Sequence, residues 1–407
     1  MNQTSRAVTV LVVAACAVLS GCSAVTGSVE APPPSSPVGP ADPGYVAELR
    51  PELEQLAADL LVTGAVVMIR SAELGDWTTT IGTRSYRGSD PVQPSDHLRI
   101  GSVTKTWTGT VILQLVEEGK ITLADAVSRY RPEVPNGDKI TIEHLLTMRS
   151  GLSNYTLGLE LNQAMDSTPD RAWQPAELVR LGVAEPASFA PGARWEYSNT
   201  NTVLLGMIIE QVTGEPLTEV FRERIFDRVG MADSSFPAAD DARLPDDHAR
   251  GYTYGTNVQT MDSLVLPKEI QEAARAGTLA PMDVTNVNPS WGWSAGAGIS
   301  TAPDLVAYAK ALTDGSLLGP ELQQQRLDSI RPTDPATPDG PGYGLGLARF
   351  GALYGHTGEL PGFNTFVGRD PERDLTVVVW TSLGPAPDGR APATTLARAV
   401  IETLYAG

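Results

Sequence analysis

The stretch Ile100–Trp107, "IGSVTKTW", decides how this chain reads. It sets Lys105 three residues after Ser102, in a segment that otherwise looks like the start of a buried helix. Lysine is scarce: Lys105, Lys120, Lys139, Lys268 and Lys310 are all there are, and only Lys105 follows a serine at that spacing. With a helix starting near Ser102, hydroxyl and amine share one face within hydrogen-bond reach. A serine hydroxyl attacks only when a neighbour takes its proton, and lysine can take it where burial or nearby positive charge disfavours the ammonium form. The helix N-terminus would also present the Ser102 backbone N–H to a developing oxyanion. Taken alone, the pair fits equally well an N-cap serine beside a lysine whose stem lies along the surface.

The segments on either side predict the frame that would hold this pair. Tyr45, Leu49, Leu53, Leu56 and Leu60 recur at helical spacing, followed by "GAVVMIR" and "DWTTTIG", which read as two strands joined by a short turn. At the far end "LYGHTG", "NTFVGR" and "LTVVVWT" read as three strands, with a turn at Asp370–Arg373 and a closing helix through Leu396, Val400 and Leu404. Helical patterns and long loops fill the middle. The expected fold is therefore α/β (α+β): one antiparallel sheet built from both chain ends, flanked by terminal helices, with a mainly helical region inserted and the active site at the seam. No internal repeat and no second linker appear, so one catalytic unit of two non-contiguous halves is expected.

Composition excludes other classes. A chain of 407 residues, 42% hydrophobic and 19% charged, buries a large core. The formal net charge of −18, with no basic run to offset it, repels phosphates and rules out a nucleic-acid partner. The four histidines are scattered without flanking carboxylate pairs, so neither a metal nor a cofactor is expected. His97 and His248 lie in polar loop-like segments, and His144 opens an apolar helix where a capping or packing role is expected.

The N-terminus predicts export. After Arg6, "AVTVLVVAACAVLSGC" has an apolar run the length of a signal-peptide core, too short for a convincing membrane span. The following "SAVTGSVEAPPPSSPVGPADPG" is too poor in apolar residues to fold and reads as an extended tether.

Three segments carry a family resemblance. "IGSVTKTW", "WEYSNTN" with Tyr197 and Asn199, and "YGHTGEL" with His356, Thr357, Gly358 and Glu359 resemble the S-x-x-K, Y-x-N and K/H-T-G motifs of the serine β-lactamase and penicillin-binding protein superfamily. "VEEGKITLADAV", "TIEHLLTMRSGL", "SAGAGIST" and "GYGLGL" look most like its soluble D-alanyl-D-alanine carboxypeptidase branch, near the class C β-lactamases, over about residues 45–405. The resemblance implies that Ser102 forms an acyl-enzyme and that Tyr197 is general base or proton shuttle, its phenol pKa lowered by cations such as Lys105. It implies that Asn199 holds Lys105 and binds the substrate amide, and that the N–H groups of Ser102 and Glu359 form the oxyanion hole. His356 stands where many relatives have lysine, so the site's charge is expected to follow pH near the imidazole value of ~6.5. Leu19-Ser20-Gly21-Cys22 resembles a bacterial lipobox, which implies cleavage before Cys22 and its lipidation, including palmitate. The expected divisions are thus a signal peptide (1–21), a tether (22–44) and a serine hydrolase domain (45–405). Cys16 would leave with the signal and Cys22 would carry lipid, so the domain would have no disulfide. The expectation is a monomer, lipid-anchored on the outer face of the bacterial membrane, acting on a small-molecule or cell-wall peptide substrate.

Two departures bear on that substrate. The branch would place an arginine directly after "GLGL" to pair with a substrate carboxylate, but Ala348 stands there and Arg349 comes one later. Along a strand, a one-residue shift turns the side chain to the other face. Glu359 shares a face with Thr357 and would repel a carboxylate. Two further readings stay open: an esterase on the same scaffold, and a lipid-anchored binding protein with a degenerate site.

Overall fold

The computed structural model describes residues 42–406. The expected signal, Cys22 and all but the last three residues of the expected tether lie outside them. Those last residues already engage the domain, since Asp42 accepts a 2.7 Å bond from Arg50.

Helix α1 (Val46–Asp59) buries Val46, Leu49, Leu53 and Ala57. Strands β1 (Gly64–Ser71) and β2 (Trp77–Gly82) follow. Near the other end come β3 (Arg331–Pro332), β4 (Gly342–Tyr343), β5 (Ala348–Phe350), β6 (Leu353–Leu360), β7 (Phe363–Asp370) and β8 (Leu375–Thr381). They form one eight-stranded antiparallel sheet in the order β2-β1-β8-β7-β6-β5-β4-β3. The sheet expected from the two chain ends is therefore present, joined where β1 pairs with β8 from Ala65 opposite Thr381 to Ser71 opposite Leu375.

Both sheet faces are covered, and the period of two decides which residues meet which layer. Ala65, Val67 and Ile69 of β1, with Leu375, Val377 and Val379 of β8, pack against Leu49 and Leu53 of α1 and Leu396 and Val400 of the terminal helix Pro392–Tyr405. The alternate residues Val66, Met68, Val378 and Trp380 join the larger core on the opposite face. That core is filled by helix α2 (Thr104–Glu117), helix α3 (Asn199–Thr213) and helix α4 (Ala302–Asp314), through Trp107, Val111, Leu204, Ile208, Leu305 and Tyr308. Each such side chain, fully buried, contributes about 1.5–3 kcal/mol relative to exposure. Trp107 meets Phe226 and Tyr308 edge-on, which fixes the roll of α2 about its axis. Among the described residues, no helix is long and apolar enough to cross a membrane.

Candidate active site

Ser102 does not begin the helix that follows it. It sits in a short 3-10 turn, Gly101–Val103, ahead of α2, and its side chain caps nothing. Two glycines bring this turn against β6. A Cβ on Gly358 would stand 1.9 Å from the Ile100 carbonyl oxygen, and one on Gly101, whose φ is +54°, would stand 2.6 Å from the Glu359 nitrogen. Only glycine at both places lets the backbone at Ser102 run beside the N–H of Glu359.

Lys105, on the first turn of α2, is 2% exposed. Its Nζ lies 2.9 Å from Ser102 Oγ and donates to Asn199 Oδ1 and the Ala295 carbonyl, each at 2.6 Å. Among the described residues no carboxylate stands within ion-pair distance of it, and burial pushes the amine well below its ordinary pKa. A neutral amine has two N–H bonds and one lone pair. In that form the two carbonyl oxygens would take the N–H bonds and the lone pair would turn to the serine hydroxyl, whereas an ammonium would donate to all three oxygens.

Tyr197 Oη donates to Ser102 Oγ at 2.7 Å, and Lys105 Nζ lies 4.9 Å from the centre of the Tyr197 ring. Contrary to the expected lowering by cations, the phenol is pushed up by burial, with the Ser102 bond opposing and Glu359 adding to the rise. The reason is that enclosure strips water from the phenolate, a cost larger than the Ser102 bond returns. Tyr197 is therefore a protonated donor in the free site.

The expectation for His356 is also corrected. Its ring is buried, with Nδ1 2.6 Å from the Thr357 carbonyl and Nε2 3.2 Å from Tyr343 Oη. Burial first, and then Lys105, hold it down to about 3, so it stays neutral across the ordinary pH range. A carbonyl at Nδ1 assigns the proton there and leaves Nε2 to accept from Tyr343.

Ser102, Tyr197, Asn199, His356, Thr357 and Glu359 line one cleft of about 580 Å³ at the seam between sheet and helical region. Lys105 stands behind Ser102, and Gly358 lies beneath it against Ile100. Arg349 is absent from the lining, as the one-residue shift predicts, while Ala348 is buried beside Met148 and Tyr343. The lining carries two carboxylates, Asp262 and Glu359, and among the described residues neither arginine nor lysine. Glu359 is open to solvent along the wall, yet the protein crowding that wall raises its carboxyl above the ordinary range. Among the described residues there is no His/Cys/Asp/Glu cluster suited to a metal. His144 builds a capping box with Thr141, and His97 and His248 bond backbone carbonyls.

Sequence reasoning missed Asn154 and the Ala295 carbonyl. Asn154 Oδ1 accepts from the Asn199 backbone N–H and from Asn199 Nδ2, both at 3.1 Å, while Thr156 Oγ1 accepts a further Nδ2 bond. These acceptors fix the amide orientation, so that Asn199 Oδ1 must face Lys105. "SNY" gives no local sign of this, and a backbone carbonyl carries no side-chain signature.

This fold and this constellation define a serine hydrolase of the β-lactamase/transpeptidase-like superfamily. The chain belongs to the Beta-lactamase family, whose model matches residues 52–401. PbpX of Bacillus subtilis, which carries the name of a penicillin-binding protein, is 27% identical over 290 residues, 71% of this chain. The chain spans 63% of PbpX. Esterase EstB of Burkholderia gladioli is 28% identical over 316 residues, covering 74% of this chain and 78% of EstB. A D-stereospecific amidohydrolase from a Streptomyces species superposes with a TM-score of 0.72 at 29% identity, over 90% of this chain and 99% of that one.

Proposed function

We propose that this chain hydrolyses amide or ester bonds through an acyl-enzyme on Ser102, on acyl donors that carry no free carboxylate beside the scissile bond. The observation that carries the reading is the place of Lys105 Nζ, buried 2.9 Å from Ser102 Oγ with the Asn199 Oδ1 and Ala295 carbonyl oxygens as its other two neighbours, so that the neutral amine would keep its lone pair for the serine proton. Ser102 Oγ attacks the carbonyl carbon while its proton passes to Lys105 Nζ, making Lys105 the base in place of Tyr197. The backbone N–H groups of Ser102 and Glu359 take up the oxyanion. Tyr197 Oη gives its proton to the departing nitrogen or oxygen and is reprotonated from Lys105. Water, attacking by the same relay in reverse, then releases the acid.

Amide and ester cleavage share these steps. The absence of a cation from the lining argues against a D-Ala-D-Ala terminus and favours a neutral leaving group. The names of EstB and of the Streptomyces amidohydrolase accord with this choice. Intact-mass analysis after incubation with a fluorophosphonate, a probe that carries no carboxylate, tests the nucleophile. One adduct is expected on the wild type and none on Ser102→Ala, which should lose at least about 10³-fold in turnover. Turnover retained in Ser102→Ala would refute the mechanism. Export and anchoring through Cys22 are part of the same proposal, tested by metabolic lipid labelling of the wild type against Cys22→Ala.

A further inference from the structure

One side of the cleft is built from two chain segments that are distant in sequence. The first, the turn Tyr155–Leu157 with the helix Leu159–Ser167, supplies Leu157, Leu161 and Met165. The second, residues 256–266, supplies Met261 and Leu264. Leu157 is 71% exposed and Leu264 45% exposed, so both hold apolar surface towards open solvent at the cleft rim. Leu161 and Met165, both buried, line the same cleft beneath these segments and back them with apolar side chains.

A single side chain ties the two segments together. Asp166 Oδ1 accepts from the backbone N–H of Asn257 at 2.8 Å and from Asn257 Nδ2 at 2.7 Å, and Oδ2 accepts from the Val258 N–H at 2.9 Å. Asn162, one turn earlier, donates to the Thr156 and Gly158 carbonyls at 3.0 and 2.9 Å and so holds the loop that carries Leu157. Asp166 is outside the cleft lining and touches none of the reacting groups.

We propose that these two walls form an acyl subsite for an apolar chain or side chain several carbons long, and that Asp166 is the positioning residue that sets its width. The inference rests on the acyl-enzyme reading of Ser102 and adds the substrate class. A methyl group would leave the walls in water. A chain long enough to reach Leu157 and Leu264 would gain about 0.8 kcal/mol for each methylene buried against them. The carboxylate of Asp166 makes three charge-assisted bonds, so its loss frees the 256–266 wall without disturbing Ser102.

The test compares p-nitrophenyl acetate and p-nitrophenyl octanoate, with kcat and KM measured separately. For the wild type, kcat/KM should be at least about ten-fold higher on the octanoate. Asp166→Ala should raise KM for the octanoate about five- to ten-fold while leaving kcat on both esters, and KM for the acetate, within about two-fold. Asp166→Asn keeps an oxygen for Asn257 and should fall between the two. Leu157→Ser, at an exposed position, should cut the octanoate preference without affecting folding. A flat chain-length response, or an Asp166→Ala effect equal on both esters, overturns the subsite while leaving the Ser102 mechanism intact. If mass analysis finds no acyl group on Ser102 from either ester, the reading beneath it falls as well.

Discussion

Replacing Lys105 with methionine should uncouple activity from stability in a way that reads the charge of the amine. Lys105 is fully enclosed and burial drives its pKa well below 10.5, so the folded protein holds it neutral while the unfolded chain holds it as ammonium. Between those two pKa values the unfolded state binds one more proton, and stability therefore rises with pH. The penalty is absent above pH 10.5 and grows as pH falls towards the folded pKa. One proton corresponds to about 1.4 kcal/mol per pH unit, so from pH 7.5 to 9.5 the wild type should gain up to about 2.7 kcal/mol relative to Lys105→Met, the whole of it where the folded pKa lies below that range. The variant loses the group from both states, so other titrations cancel in the difference. The assay is urea denaturation of both proteins across that range, with m-values checked for constancy. Activity in the variant should fall by about 10³-fold or more. Parallel stability curves would mean that Lys105 carries its charge in the folded site, and the assignment of Lys105 as base would then be wrong.

Asn154→Ala should lower kcat by about 10²-fold with little change in KM, because Asn199 loses the acceptor that aims its Oδ1 at Lys105. Asn154→Asp, which keeps an acceptor there, should recover most of the loss, and an unchanged kcat in the alanine variant would dismiss the role. Glu359→Thr should raise kcat/KM on a peptide ending in D-Ala-D-Ala, relative to a neutral ester of similar size, by at least about five-fold. A wild type that already prefers that peptide would restore the carboxypeptidase assignment. His356 has a folded pKa of about 3 against 6.5 in the unfolded chain, so its contribution is complete above pH 6.5 and lost as pH falls towards 3. Between pH 6 and 4 the wild type should lose about 2.5 kcal/mol more than His356→Gln, read from urea midpoints. An equal loss would place a charged imidazole in the fold.

The sequence by itself determined the frame and the catalytic pair. "GAVVMIR" and "LTVVVWT" read as strands from the two chain ends of one sheet, and β1 and β8, which pair with each other, are those strands. Ser102 and Lys105 are three residues apart, so local geometry alone brings them together. The one-residue displacement of Arg349 was equally legible, because strand alternation is a property of the backbone. Ionisation was only partly legible. Lys105 reads as an amine that burial can free of its proton, but Tyr197 as a phenol acidified by it and His356 as a switch near neutral pH. In the fold all three are desolvated by residues far away in sequence, and for Tyr197 that desolvation outweighs every stabilising contact of the phenolate. The acceptors around Lys105 Nζ, and the Asn154 oxygen that orients one of them, come from segments more than 40 residues away. Spacing in a sequence fixes which side chains share a face. Which of them keep their charge depends on how much water the rest of the chain excludes, and that is decided only when the two ends of the chain close over the helical region.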